Sequence, residues 1–424
     1  MASNRSPLFI IFITVFIDLI GFGIVIPILP IYAEKFGATP LTVGLLLASF
    51  SVCQFLATPI LGRLSDRYGR RPILFFSLAG TSLAFLTMGF ANALWLLFVA
   101  RIVDGITGGN ISTAQAYIAD VTTPENRAKG LGMIGAAFGL GFIIGPAIGG
   151  VLSKFGLPVP FLFASALAAA NAILLYFRLP ETVKRDGSPA KASARRGWGI
   201  VGISLPDTGL KLILIVYFVG TVAFATLTAT LALYTSHARQ FHYDATHNGY
   251  IFTFVGIIGA IVQGGLLGRL VKQFGESLLV VVGLVSLGAG LAFLPYLTTL
   301  IGLLVALALI AIGNGLVTPS LTALASKRTS EKKQGEILGI TQSLNSLARV
   351  IGPIVGNFLL GFGITEAAGS VSESTSVPGQ AMASPFVMSA IVTALAFALA
   401  IFYYLKWGNK KLVGFERSQQ QSET

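Results

Sequence analysis

One pattern constrains this chain before any other. Apolar runs of about twenty residues or more, parted by short polar turns, recur from end to end. A helix of that length matches the roughly 30 Å hydrocarbon core of a bilayer. The runs fall near 7–30, 41–61, 73–91, 94–118, 129–153 and 159–179, then 208–234, 246–270, 277–296, 299–323, 334–362 and 385–407. Only 11% of the 424 residues are charged, against about 25% in a soluble domain. So few charges cannot cover a globule of this size, and lipid is the solvent for most of it. The fold class expected is an all-α membrane protein with twelve transmembrane helices.

The first run follows Arg5 and reaches Pro30. It is too long for a signal-peptide core and has no small-x-small cleavage site at its end, so it reads as the first span. With the N-terminus inside, the outer loops hold only Lys35, Lys154 and Arg239 of the 29 Lys and Arg. Arg101 and Arg349 fall within spans, and the rest lie at the other ends, loops and tails. Short cytoplasmic loops carry the Lys and Arg excess, so both termini are expected in the cytoplasm. A pI of about 9.9 suggests nucleic acid, but basic residues confined to short loops between spans argue against it. The lone Cys53 excludes an internal disulfide and a multi-cysteine metal site.

The chain divides in two. A stretch near 183–207, with Lys184, Arg185, Lys191, Arg195 and Arg196 among Gly, Ser, Ala and Pro, reads as a cytoplasmic linker. It joins a first six-helix bundle, 1–182, to a second, 208–407, and a polar tail follows, 408–424. Motifs repeat at half-chain spacing. Gly62-Arg63-Leu64 with Gly69 returns as Gly268-Arg269-Leu270 with Gly275. Gly145-Pro146 with Gly149 returns as Gly352-Pro353 with Gly356. A parallel repeat of two bundles places a site between them near the bilayer midplane. The loop Gly62–Pro72, with four arginines and Asp66, keeps its charge only in the first half.

Two acids lie near mid-membrane: Asp18 in the first span and Asp104 in the fourth. A central aspartate costs about 2.5–3.5 kcal/mol on insertion scales and is seldom there without use. A carboxyl that is costly when charged suits the uptake and release of a proton. The bland alternative is that Asp18 bonds a neighbouring helix and Asp104 pairs with Arg101 one turn away. Gln342, Asn345 and Arg349 share one face of the eleventh span, and a polar stripe there faces protein or water rather than lipid. With Gln54, Asn110, Gln115, Gln263 and Asn314 they form the candidate substrate cavity. Gly135, Gly139, Gly141, Gly145, Pro146, Gly149 and Gly150 make the fifth span a close, hinge-like helix contact. It lacks the lysine and preceding strand of a phosphate loop. His237, His242 and His247 are spaced five apart, wrong for one helix face, and carry little weight as a metal site. No nucleophile–base pair or ligand cluster appears, so no enzyme and no cofactor is expected.

These motifs resemble the major facilitator superfamily. Gly62-Arg63-Leu64-Ser65-Asp66-Arg67-Tyr68-Gly69-Arg70-Arg71 is similar to its signature between the second and third helices. Gly141 to Gly150 resembles the fifth-helix signature of its drug:proton antiporters, and Arg101-x-x-Asp104-Gly105 its fourth-helix arginine motif. Asp18 through Pro27 and Pro30, and Phe241-His242-Tyr243-Asp244, resemble tetracycline and multidrug efflux proteins. The resemblance implies an antibiotic-efflux type of carrier, a multi-pass protein of the cell (inner) membrane. It implies a conformational switch in which Asp66 meets the start of the eleventh span and Arg70 pairs with Asp120, locking the outward-facing state. It implies substrate- or proton-linked roles for Asp18 and Gln54. The tetracycline exporters also carry acids and a histidine where this chain has Ala84, Leu287 and Gly259. That argues against a metal–tetracycline cargo. The expectation is a monomer that exports a small, amphipathic or drug-like molecule in exchange for protons, the proton gradient supplying the energy. Asp18, Asp104 and Arg101 would couple the proton. A proton symporter or facilitator that imports a small solute is the alternative.

Overall fold

The computed structural model describes residues 5–182, 207–329, 334–370 and 382–408. Nearly all of the expected linker and tail, and much of the outer loop before Ser384, lie outside these residues. Thirteen helices appear among the described residues. They are α1 (Arg5–Glu34), α2 (Pro40–Tyr68), α3 (Arg70–Gly89), α4 (Leu94–Thr107), α5 (Asn110–Val121), α6 (Pro124–Ser153) and α7 (Val159–Arg178). Then come α8 (Thr208–His237), α9 (Ala245–Ala260), α10 (Leu267–Phe293), α11 (Leu300–Lys327), α12 (Gln334–Ser370) and α13 (Ser384–Tyr403).

The helices begin where a polar side chain can replace the missing backbone partner. Thr39, Asp207, Asp244 and Thr299 each accept a hydrogen bond from an amide in the first turn, the usual helix-capping device. Prolines inside α1, α2, α6, α11 and α12 do not stop these helices, since packed neighbours support the freed carbonyls.

Three boundaries depart from the sequence reading. The stretch Gly62–Pro72 is not an open loop: α2 runs to Tyr68, α3 starts at Arg70, and Gly69 alone turns the chain, with φ +108°. The fourth span is broken at Gly108-Gly109 into α4 and α5. The eighth and ninth spans run on as helix from Ala245 to Tyr296, 52 residues, about 78 Å if straight. That is over twice a hydrocarbon core. Gly275, at φ +75° and ψ 158°, interrupts it. Counted as unbroken runs, eleven helices among the described residues are long and apolar enough to cross a bilayer. Within the eighth span, residues 261–266 form a π-helical turn.

One buried apolar cluster lies wholly within residues 10–179 and another within 210–403. A third is shared, holding Ile24, Ile28 and Leu46 from the first half with Leu227, Leu231 and Leu291 from the second. This shared core closes one end of the molecule. There α6 meets α9 backbone to backbone, so that a Cβ added at Gly150 would lie 3.0 Å from the Gly249 Cα. At Gly44 an added Cβ would lie 2.4 Å from the Pro353 carbonyl oxygen, which holds α2 against α12. Ser153 and Thr246 hydroxyls sit 3.1 Å apart across the seam, and His237 Nε2 lies 3.4 Å from Glu34 Oε1. Toward the other end, Gly132, Gly135 and Gly139 on α6, Gly268 on α10 and Gly339 on α12 face nothing within 4 Å. The halves are joined from one end to about mid-depth and parted beyond it.

Candidate functional site

The break between α4 and α5 builds the site. With the helix interrupted, the Gly108 carbonyl is free of the helical ladder and accepts a 2.8 Å hydrogen bond from Gln54 Nε2. Gln54 is thereby fixed with its Oε1 turned toward α12, where the Arg349 Nη2 donates at 3.5 Å. This hydrogen bond joins α2 of the first half to α12 of the second.

One turn before the break, Arg101 and Asp104 form a sealed pair. Arg101 Nη1 donates to Asp104 Oδ2 at 2.9 Å, with the side chains only 2% and 7% exposed. The guanidinium lies over the Phe50 ring, 4.2 Å from its centroid. Burial that deep neutralises one charge with the other and shuts both from water.

Asp18 differs. It is half-buried on α1, and no cation pairs with it among the described residues. Its neighbours are the Asn110 side chain, at the first residue of α5, and the like charge of Asp104. Asn110 is buried with neither its amide nitrogen nor its oxygen in a well-formed hydrogen bond. The site thus holds one unpaired acid beside one neutralised ion pair.

The remaining cavity candidates separate. Asn345 reaches the Tyr217 hydroxyl at 3.5 Å, and Arg349 is half-buried with its Nε unpartnered. Gln342, Gln115 and Gln263 are exposed, and Gln263 falls in the π-helical turn. Asn314 is used within its own helix, accepting from Thr318 at 3.2 Å.

The glycines of the fifth span fall on α6 and make close contacts rather than a break. Gly141 and Gly145 meet α1 at Leu19, Ile20 and Gly23, Gly149 meets Ile24 and Ile28, and Gly150 meets α9. The helix continues through Pro146.

At the parted end the charged turn is satisfied within the first half. Arg70 donates to Asp120 at 3.1 Å and to Ser65 at 2.6 Å, and lies 2.6 Å from Asp66. Glu181, which the sequence reading passed over, accepts the Arg70 and Arg71 amides at 3.0 and 3.1 Å. Gly62 has open space around it. The expected meeting of Asp66 with the start of the eleventh span falls on side chains outside the described residues.

Sequence reasoning also missed Lys327 with Glu276 and two further pairs. Arg328, just past α11, donates to Asp207 at 2.7 Å and to the Tyr403 hydroxyl at 2.8 Å, and packs over Tyr403 and Trp407. The other is Glu34 with His237. A lone charge at a helix end, matched by another far away in sequence, was the available signal for both. His247 turns to Asp244 at 2.7 Å and stacks on Tyr243, so these histidines serve different partners. Burial alone would raise the Asp244 carboxyl, yet hydrogen bonds from His247 hold it below its usual range.

Comparison with known proteins agrees with this arrangement. The Major Facilitator Superfamily profile matches residues 11–353 and, in a second match, 266–421. The tetracycline resistance protein, class B, of Escherichia coli is 32% identical over 83% of this chain and 88% of its own length. Multidrug resistance protein 1 of Bacillus subtilis (strain 168) is 32% identical over 85% of this chain and 91% of its own. The crystal structure of the human organic anion transporter MFSD10 superposes with a TM-score of 0.68, at 26% identity, over 94% of this chain and all of that one. The fold and these likenesses agree: the chain belongs to the Major Facilitator Superfamily, a family of membrane transporters and not of enzymes, and is similar to its tetracycline and multidrug resistance proteins.

Proposed function

We propose that the chain exports a small amphipathic or drug-like molecule in exchange for protons, by alternating access. The observation that carries this reading is Asp18, an unpaired, half-buried carboxylate at mid-span beside a broken helix. Broken helices near the midplane are where transporters of this kind place their sites. The relatives' names span tetracycline, several drugs and organic anions, which supports a small organic cargo and leaves its charge open.

Two bundles, 1–182 and 208–407, rock about the shared seam, and Gly275 divides the 52-residue run so that the crossings total twelve. Arg63, Arg67, Arg70 and Arg71 gather at the parted end, which supports placing that end in the cytoplasm. The conformation is then inward-facing, in the inner membrane of a cell, and both termini are cytoplasmic. The Arg70–Asp120 pair is intact in this state. In this reading it holds the cytoplasmic ends of α2, α3 and α5 together.

Asp18 takes a proton from outside when the outer end parts, and returns it inside in the conformation seen here. Asp104 stays neutralised by Arg101 throughout. Each proton brings about 1.4 kcal/mol per pH unit and about 2.3 kcal/mol per 100 mV. The protein works as a monomer, since each chain holds a complete site.

The test is a drug-susceptibility panel on cells with and without the protein, followed by flux of the best compound in inside-out vesicles. Uptake should acidify the bath, stop when the gradient is collapsed, and fall at least tenfold with Asp18→Asn. Flux indifferent to the gradient and to Asp18→Asn would sink the reading. Import of the solute with protons would instead favour a symporter.

A further inference from the structure

Arg349 has a guanidinium at mid-span with no carboxylate to answer it among the described residues. It is half-buried on α12, and no acid lies within ion-pair distance of it among the described residues. Its electrostatic neighbour is the Tyr217 hydroxyl, a neutral group. Among the described residues Gln54 Oε1 is its one hydrogen-bond acceptor, at a long 3.5 Å, and its Nε has none. The obvious internal counter-ions are taken or distant. Asp104 is committed to Arg101 at 2.9 Å, and Asp18 interacts with Asp104 and Asn110 rather than with Arg349.

An arginine inside a membrane protein is costly unless something compensates its charge. Leaving it uncompensated at the head of a cleft makes sense if the compensating charge arrives with the cargo. The surroundings fit that use. Gln54, pinned by the Gly108 carbonyl, steadies the guanidinium with its Oε1, and Tyr217 and Asn345 face each other beside Arg349, where each can donate to an anion. A guanidinium offers a planar fork that matches carboxylate, sulfonate or phosphate. The site also joins the halves, with Gln54 from one and Arg349 from the other.

We propose that Arg349, with Tyr217 and Asn345, binds an anionic group of the transported molecule, so that the cargo is an organic anion with an apolar body. The proposal rests on the reading of the cleft as a substrate path. It assigns the anion to the second half and the proton to Asp18 in the first. In the first half the half-buried Phe22 and Phe142 rings pack with centroids 5.8 Å apart. They give the apolar body a surface to lie on.

The test uses two probes on one scaffold, 1-naphthalenesulfonate and 1-naphthyltrimethylammonium, whose charges do not change with pH. Uptake is measured in proteoliposomes with an acidic interior, for the wild type, Arg349→Gln and Arg349→Lys, each confirmed as monodisperse after purification. The wild type should accumulate the sulfonate in preference to the ammonium. Arg349→Gln should lower sulfonate uptake at least tenfold without lowering any ammonium uptake, while Arg349→Lys restores part of the sulfonate uptake. Preference for the ammonium, absence of sulfonate uptake, or equal loss of both probes would overturn the proposal. The assay is run in phosphatidylcholine alone and with phosphatidylglycerol added. An Arg349→Gln effect confined to the second would assign the residue to a lipid headgroup and also overturn it. Arg349-dependent sulfonate flux that persists after the proton gradient is collapsed would remove the antiport reading and leave this one standing.

Discussion

Two aspartates that look alike in the sequence are set apart by their neighbours. Asp104 is locked to Arg101, and removing one member of a buried pair strands the other charge, at a cost of about 3–5 kcal/mol. Asp104→Asn is therefore expected to lower thermal stability sharply, read by a melting assay in detergent. Asp18→Asn removes no pair and should melt close to the wild type while uncoupling proton movement. Equal melting losses for both variants would contradict this assignment. The sequence placed both acids at mid-membrane but left their roles open. Pairing depends on rotamers and on the Phe50 ring packed over Arg101, which no residue spacing encodes. Gly69 is the opposite case, legible as the turn in its motif. It has two independent reasons to stay glycine: φ is +108°, and a Cβ would lie 2.4 Å from the Glu181 carboxylate. Gly69→Ala should cost about 1–3 kcal/mol through strain alone, with a corresponding loss of folded protein on size-exclusion chromatography.

Helix ends carry the next level of order. Nearly every span was readable from apolar length, because twenty apolar residues have few other uses. Breaks inside spans were not readable. The glycines Gly108 and Gly109 part α4 from α5, whereas Gly149 and Gly150 pass through α6 unbroken, so a glycine pair alone decides nothing. What differs is the partner: Gln54 claims the Gly108 carbonyl, while Gly149 and Gly150 receive neighbouring backbones. At the parted end of the second half, Arg328 ties the start of α8 to α13 through Asp207, Tyr403 and Trp407. Burial works to raise the Asp207 carboxyl, but hydrogen bonds from Arg328 and the Gly209 amide outweigh it and hold the group below its usual 3.8. A lowered carboxylate stabilises the fold above its ordinary range and loses that contribution as pH falls through the lowered value. Arg328→Ala should cost about 1–2 kcal/mol at pH 7, most of it from the two ring contacts, since Asp207 is partly exposed and screened. The gap in melting temperature between this variant and the wild type should narrow below pH 3.8. A gap constant from pH 7 to pH 3 would show that the Asp207 charge contributes nothing.

The molecule as a whole is captured with one end shut. A two-part plan was expected from the repeated motifs at half-chain spacing. The state was not readable, because a sequence that supports alternating access must be compatible with both closures. Ser153 and Thr246 face each other at the shut end, so a cysteine at each, in a Cys53→Ser background, should form a disulfide on oxidation. Transport should then fall to background and return with a reductant. Continued flux through the cross-linked protein would mean that this seam need not part. The seam has one more implication. Where α6 crosses α9, Gly150 and Gly249 bring peptide backbone against peptide backbone, so no side chain interlocks at that one point. That crossing can slide without turning a rotamer, so the work of opening falls on the apolar cluster shared by the halves and on the Ser153–Thr246 contact.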